Sequence, residues 1–323
     1  MKEENPMKKI IAILMAMMLL IGCCSFAMAE EETIKIGVLA PATTHGWVGG
    51  VAYFAKVAAE ETGVEYVYVT SENAEEMSSN IEEMINQGVD GIVVWPQFTG
   101  VETAAEMALE QGIVIYNFDM IINVNEKYAD NMYVLTGDNY GMGVACANYI
   151  AEKLEGQGKV LVLNKPTAGN VNDDRCAGFN DTIAAIAPDI EVIGEAAIEF
   201  ARENDMAVMA DALTAYPEID AVLSIDDETS IGALQAISEA GRTDIKAITG
   251  GGGCQEYFNL MLDEKYADIN VASMTYSPDM IMDCIYNLVA VLQGEEIEHT
   301  IVLPTNTVDK TNVADFLNEN SPY

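Results

Sequence analysis

Ile34-Lys35-Ile36-Gly37-Val38-Leu39-Ala40 is short, apolar and rich in β-branched side chains, the pattern of a strand buried on both faces of a sheet. Pro41-Ala42-Thr43-Thr44-His45-Gly46-Trp47 follows as a turn-rich loop, and residues 48–62 read as a helix closed by Gly63. In a parallel α/β sheet, ligands bind in the crevice beyond the carboxyl ends of the strands. This loop stands at such an end. It carries a tryptophan, a histidine and two threonines, side chains suited to stacking on and hydrogen-bonding to a small polar ligand.

Outward from that unit the same alternation continues. Residues 65–70, 91–95, 112–118 and 133–137 read as strands, with helices at 75–87 and 101–111. The first of these helices carries Met77, Ile81, Met84 and Ile85 on one face. The plan then restarts. Helices at 140–154, 173–187, 204–216, 228–240, 255–263 and 278–292 alternate with strands at 159–164, 190–195, 221–225, 245–249 and 268–274. Ile301-Val302 begins a last short strand. Pro278 is expected in the first turn of its helix, where a missing N–H is tolerated. Units of this size mean βαβ crossovers and a parallel sheet. The predicted fold is α/β, with two doubly wound parallel-sheet lobes of similar plan. No Gly/Ser-rich linker separates them, so the chain is expected to cross between lobes at ordered positions, which suits hinge closure.

The 323 residues suggest about two domains, and half of them are hydrophobic. A formal net charge of -37 would repel a phosphate backbone and argues against nucleic-acid binding; its plainer role is solubility. Enzyme classes are disfavoured by motif. The two histidines are His45 and His299, and the chain has neither a Gly-x-Ser-x-Gly elbow nor a His-Glu-x-x-His metal motif. Ala40-Pro41-Ala42 follows the first strand where a dinucleotide site needs a glycine loop. No catalytic residue, metal or cofactor is assigned.

Lys8 and Lys9 precede an apolar run over residues 10–22 that is short for a membrane span, so residues 1–29 read as a secretion signal. Residues 1–6 are unusual in such a signal, and Met7 is an alternative start. Two processing sites compete. Ala27-Met28-Ala29 before Glu30 suits an ordinary signal peptidase, whereas Leu20-Ile21-Gly22-Cys23 suits a bacterial lipobox in which Cys23 is lipidated and becomes the first residue. Either way the mature protein is expected outside the cytoplasm, in the periplasm or on the outer face of the cell membrane, with no later span. Cys23 and Cys24 fall in this segment. Cys146, Cys176, Cys254 and Cys284 remain. Export permits disulfides, three full pairings are open, the spacing is wrong for zinc, and most are expected as buried thiols.

Several stretches carry a family resemblance. Ile81-Glu82-Glu83-Met84-Ile85-Asn86-Gln87-Gly88-Val89-Asp90-Gly91-Ile92 runs from helix into strand, and Gly112-Ile113 leads to Phe118-Asp119. Gly137-Asp138-Asn139, Arg175-Cys176-Ala177-Gly178-Phe179, Tyr216-Pro217-Glu218-Ile219-Asp220-Ala221-Val222 and Gly232-Ala233-Leu234-Gln235-Ala236 follow in order. With Ile36-Gly37-Val38 and its aromatic loop, their order and spacing resemble the type I periplasmic binding proteins, in the ribose/galactose-binding group that feeds ABC sugar importers. The resemblance covers residues 34–302. It implies discontinuous lobes, residues 33–137 with 276–302 and residues 138–275 with 303–323, joined by a three-segment hinge that lets ligand close the lobes like a clamp.

The resemblance also implies site residues. A sugar or polyol presents hydroxyls around a weakly apolar skeleton, so its site needs carboxylates, amides and aromatic faces. Trp47 is a stacking wall, or else packs against its own helix start. His45 is a polar neighbour, or a solvated loop histidine. Asp119, directly after a buried strand, accepts ligand hydroxyls, or caps a turn; it is followed by Met120, where many sugar binders have Arg. Asp173 stands where the family often has a ligand-contacting Arg, and Asn172 is a polar candidate beside it. Arg175 matches a second family Arg, read mainly as pairing with a carboxylate near the cleft. Phe200 matches an aromatic on the opposite wall, or anchors its loop. Asp226 is assigned to ligand and Asp227 to capping the next helix. Tyr276 stands where the family often has Gln, and either faces ligand or packs the hinge. Gly250-Gly251-Gly252-Gly253 departs from the pattern, which commonly has Asp near Gly251; bulk ligand or backbone amides would fill that space.

Convergence of Asp119, Asp173 and Asp226 without the two expected arginines points to a neutral, donor-rich ligand such as a monosaccharide or polyol, or to one carrying an amine. The expected function is an extracytoplasmic solute-binding protein, monomeric, that hands its ligand to the membrane permease of an ABC importer. The alternatives are a sensory receptor serving a chemoreceptor or histidine kinase, and a binder of an amino sugar or nucleoside. A transcription regulator of this fold would need a DNA-binding segment where the secretion signal stands.

Overall fold

The computed structural model describes residues 33–42 and 46–323. The secretion-signal and lipobox readings on residues 1–29, Cys23 and Cys24 included, lie outside the described residues, as does His45.

The first strand, β1 (Lys35–Pro41), is buried from Ile36 to Pro41. Its side chains divide by the two-residue period of a strand. Ile36, Val38 and Ala40 enter one apolar core and Leu39 another, so both faces are covered. Helix α1 (Gly46–Thr62) follows, then β2 (Glu65–Ser71) and α2 (Ala74–Gln87). The ends of α2 show how local sequence sets its limits. Asn73 Oδ1 accepts from Glu76 N at 2.9 Å, and Gly88 closes the helix in the left-handed region at φ 66. Met77, Ile81 and Met84 form its buried face. The lobe continues with β3 (Gly91–Val94), α3 (Glu102–Glu110), β4 (Val114–Phe118) and β5 (Met132–Gly137).

The second series runs α4 (Asn139–Lys153), β6 (Gln157–Asn164), α5 (Asn170–Ile186), β7 (Asp189–Ala197), α6 (Arg202–Ala215), β8 (Ala221–Ser224), α7 (Asp227–Glu239), β9 (Ala247–Gly252), α8 (Gln255–Leu260) and β10 (Asn270–Thr275). Helix α9 (Met280–Leu292) and β11 (Thr300–Leu303) then return to the first series, and β12 (Thr307–Asp309) to the second. The helix α9 begins at Met280, so Pro278 lies just ahead of its first turn rather than in it.

The strands form two six-stranded sheets, ordered β11-β5-β4-β3-β1-β2 and β12-β10-β9-β8-β6-β7. All pairings are parallel except β10 with β12. The fold is thus the expected pair of doubly wound α/β lobes. The chain passes between the sheets after β5, after β10 and after β11. These crossings are tied together: Asp138 N donates to Leu303 O at 2.8 Å and Thr275 N to Asn306 O at 2.9 Å. In each sheet the order reverses beside its first strand, at β1/β3 and β6/β8. Such switch points open a crevice at the strands' carboxyl ends.

Two strand readings change. Gly250 to Gly252, read as a departure filled by ligand or bare amides, belong to β9. Protein fills the space their missing side chains leave: a Cβ at Gly250 would overlap Asp227 Oδ1, and one at Gly251 would stand 2.8 Å from Met142 Sδ. Strand β12 is additional. Cys146, Cys254 and Cys284 are buried free thiols, and Cys176 is a half-buried one. Among the described residues, no helix is long and apolar enough to cross a membrane.

Candidate ligand-binding cleft

Segments leaving the carboxyl ends of both sheets wall one cleft. One chamber, of about 40 Å³, is lined by Trp47, Gln97, Asp119 and Tyr276 on one side and Val171, Arg175, Phe200, Asp226, Gly251 and Gly252 on the other. A second chamber of about 190 Å³ shares Gln97, Asp119, Val171 and Phe200 and adds Met120, Lys165, Thr167, Ala168 and Glu199. Met120 packs with Ala168, Val171 and Phe200 as a small apolar cluster spanning the two series.

Asp119 is held most tightly. It follows β4 in the left-handed region at φ 64, where aspartate is better tolerated than most residues. Trp95 Nε1 donates to its Oδ2 at 3.0 Å, and the Tyr276 hydroxyl donates to its Oδ1 in a short bond. Burial pushes its carboxyl above the usual range, while those two donors and the charge of Arg175 act the other way.

Tyr276 lines the chamber and packs against Gly137. It directly follows β10, and its ring covers Gly137 so closely that a Cβ there would overlap it. Its carbonyl accepts Trp47 Nε1 at 2.7 Å. Burial and the Asp119 carboxylate raise its phenol. Trp47 stands beside it. It lines the chamber, and it stacks parallel on Phe118 at 6.0 Å with Trp95 edge-on at 5.2 Å. This aromatic shelf is built by the first turn of α1, the residue after β3 and the end of β4.

Arg175 lines the chamber, but its partners are not the carboxylate expected. Nε donates to Asn139 Oδ1 at 2.8 Å and Nη1 to Ile225 O at 2.7 Å, with the guanidinium 4.6 Å over the Tyr276 ring. A guanidinium has five N–H donors, and those two bonds occupy two.

The cap expected of Asp227 falls to Asp226. Asp226 has extended backbone one residue ahead of α7, and its Oδ1 accepts Thr229 N at 2.9 Å, so it is the helix cap as well as a chamber residue. Asp227 does not cap. Its Oδ2 accepts Gly253 N, Cys254 N and Ser273 Oγ at 2.7, 2.9 and 2.8 Å, and its buried Oδ1 has no hydrogen-bond partner among the described residues. Both carboxyls are pushed up to about 7, chiefly by burial. Phe200 sits in the left-handed region at φ 58, uncomfortable for an aromatic residue, with Lys165 Nζ 4.9 Å from its ring centroid.

Asp173 is corrected. It is exposed on α5, outside the chamber walls, and accepts Asn172 Nδ2 at 3.1 Å. A helix turns successive side chains by about 100°, so Asp173 and Arg175 cannot share one direction. Asn172 is buried but also outside the walls, its Oδ1 accepting Lys165 N at 2.9 Å. Gln97, Val171 and the further residues of the second chamber are additions. Gln97 leaves the carboxyl end of β3, beside the β1/β3 switch point, so the crevice rule alone points to it. Val171 carries no sequence signal; it is an ordinary apolar residue in a first helical turn.

The periplasmic binding protein domain matches residues 36–296, and the chain belongs to that family. It is 27% identical over 295 residues to the xylitol-binding protein of Mycolicibacterium smegmatis, covering 88% of this chain and 80% of the relative. It is 27% identical over 250 residues to the ribose import binding protein RbsB of Bacillus subtilis, covering 76% and 77%. Among solved structures it is similar to the periplasmic binding protein component of an arabinose ABC transporter from Shewanella sp. ANA-3, bound to α- and β-L-arabinofuranose. That match has a TM-score of 0.80 at 25% identity and covers 87% of this chain and 93% of the other.

Proposed function

We propose that this protein is an exported solute-binding protein that captures a monosaccharide or polyol by lobe closure and presents it to the permease of an ABC importer, without catalysing a reaction. We take the lobes as residues 33–137 with 276–302, and 138–275 with 303–323. The observation that carries the reading is the single chamber walled from both sheets, with Asp119 and Trp47 facing Asp226, Arg175 and Phe200. Ligand held by both walls binds the closed form preferentially, and only such differential affinity drives closure. Trp47, Asp119, Arg175, Phe200, Asp226 and Tyr276 are the proposed contacts, with Gln97 added; His45 stays a proposed contact from sequence.

Size and charge narrow the ligand. Benzene, with six heavy atoms, fills a cavity of about 150 Å³, so a five- or six-carbon sugar or polyol would span both chambers. Asp119, Asp226 and Glu199 against Arg175 and Lys165 leave no surplus of positive charge for a phosphate, and the aromatic shelf suits a ring's C–H face. The names of the xylitol- and ribose-binding relatives and the arabinofuranose in the solved structure support the same class. The secretion signal read in residues 1–29 supports export, with or without a lipid on Cys23.

A thermal-shift panel on the purified protein tests this, since a ligand that binds only the folded state raises Tm. Pentoses, hexoses, pentitols and inositols are expected to include the largest shift, with amino sugars and nucleosides below them. A largest shift from a sugar phosphate or sugar acid would overturn the ligand class. Turnover of a bound ligand would overturn the non-enzymatic reading.

A further inference from the structure

Tyr323 lies far from the chamber in sequence but against both lobes in space. The segment leading to it is fastened to the second lobe: Gln255 Nε2 donates to Phe316 O at 3.2 Å, Asn318 N donates to Gln255 Oε1 at 2.6 Å, and the Phe316 ring meets Phe258 edge-on. The Tyr323 side chain then reaches the start of α1, which packs on α9 in the first lobe. A Cβ at Gly46 would stand 3.1 Å from its ring, and one at Gly50 would stand 3.3 Å from its Cβ. Its hydroxyl lies 2.8 Å from where a Cβ at Gly252 would be, on the second lobe's chamber wall. Tyr323 is buried, and its hydroxyl has no hydrogen-bond partner among the described residues. Glu228 joins the same contact, its Oε1 3.1 Å from the Cβ position of Gly46.

We propose that Tyr323 is a latch that sets ligand affinity from outside the chamber: carried by the second lobe, its ring seats in a socket of Gly46, Gly50 and Gly252 only when the lobes are closed. The socket exists because three positions lack side chains, and two of them belong to the opposite lobe. Parting the lobes draws the ring away from α1, so every contact it makes there belongs to the closed state alone. Such contacts raise the closed fraction before ligand arrives, and apparent affinity scales with that fraction. The latch rests on the lobe-closure reading above, but it also predicts a ligand-free behaviour.

The test uses the full chain with Tyr323→Ala, Tyr323→Phe and Gly46→Val. In small-angle X-ray scattering without ligand, Tyr323→Ala and Gly46→Val are expected to have larger radii of gyration than wild type. Gly46→Val fills the socket from the first lobe and leaves the tyrosine untouched, so it decides the question if Tyr323→Ala fails to fold. With the strongest ligand from the panel, both are expected to bind about tenfold more weakly, through faster release. Tyr323→Phe keeps the ring and loses only an unpartnered hydroxyl, and is expected to bind at least as tightly as wild type. Folded variants with an unchanged radius of gyration overturn the latch, whatever the ligand proves to be. A wild type that binds no sugar or polyol overturns the functional reading and leaves the scattering comparison to decide the latch.

Discussion

The two walls of the cleft carry similar residues under different constraints. On the first lobe, Asp119 is held at both oxygens: Trp95 and Tyr276 each donate to one of them, leaving a lone pair on each, and Tyr276 is itself pinned over Gly137 and bonded through its carbonyl to Trp47. On the second lobe, Asp226 and Asp227 are buried side by side with both carboxyls raised to about 7, and Asp227 Oδ1 has no hydrogen-bond partner among the described residues. The first wall is preorganised and gains little by rearranging. The second presents Asp226, whose carboxyl accepts one backbone N–H and is raised by burial, so a donor-rich ligand would have most to offer there; Asp227 lies behind it, outside the chamber walls. Preorganisation lowers the cost of binding, and unmet polar groups make the bound state selective for whatever satisfies them.

That contrast is most open to breaking at Asp119. Asp119→Ala would remove a ligand acceptor and strand the Tyr276 hydroxyl and Trp95 N–H in a buried site. Truncating one partner of a buried, charge-assisted set costs about 2–5 kcal/mol, so affinity for the panel's best ligand is expected to fall roughly 100-fold or more. Calorimetry reads this directly. A loss below about tenfold would mean that the first wall serves the hinge more than the ligand.

A gentler change sharpens the other side. Asparagine caps helices as well as aspartate does, so Asp226→Asn should keep the bond from Thr229 N and the start of α7 while removing the charge. Its Tm without ligand is expected to match or exceed wild type, and its affinity to fall by about tenfold, less than for Asp119→Ala. Equal losses at the two positions would erase the proposed difference between the walls.

These contrasts were unevenly legible in the sequence. Strands such as β1 and β4 declare themselves because burial on both faces demands continuous apolar runs, and α2 because its apolar period, Asn73 and Gly88 agree. Asp119, Phe200 and Asp226 follow from one rule, that segments leaving the strands' carboxyl ends form the crevice. What stayed hidden depends on pairs distant in sequence. β12 is three residues long and is a strand only because it pairs with β10. Glycines 250 to 252 read as a loop by propensity, yet neighbouring strands and the Asp227 and Met142 side chains leave no room for anything larger. The partners of Arg175, one from α4 and one from β8's end, have no local signature. Nor does the seat of Tyr323 against α1.

The smallest expected effect concerns protons. Asp227 is raised from 3.8 to about 7 and is not a chamber residue. Its raised value means that the folded state holds a proton that the unfolded state has released over roughly pH 4 to 7. Below that window both states are protonated and burial carries no charge penalty. As pH rises through it the folded protein must either keep the proton or bury the charge, so this group lowers stability progressively and fully above about 7. Asp227→Asn removes that slope while retaining an oxygen to accept from Gly253, Cys254 and Ser273. The difference in Tm between variant and wild type, measured without ligand, is therefore expected to move in the variant's favour by a few degrees between pH ~5 and ~8. A difference that stays flat across that range would mean that Asp227 is ionised throughout. The second wall would then be as well compensated as the first.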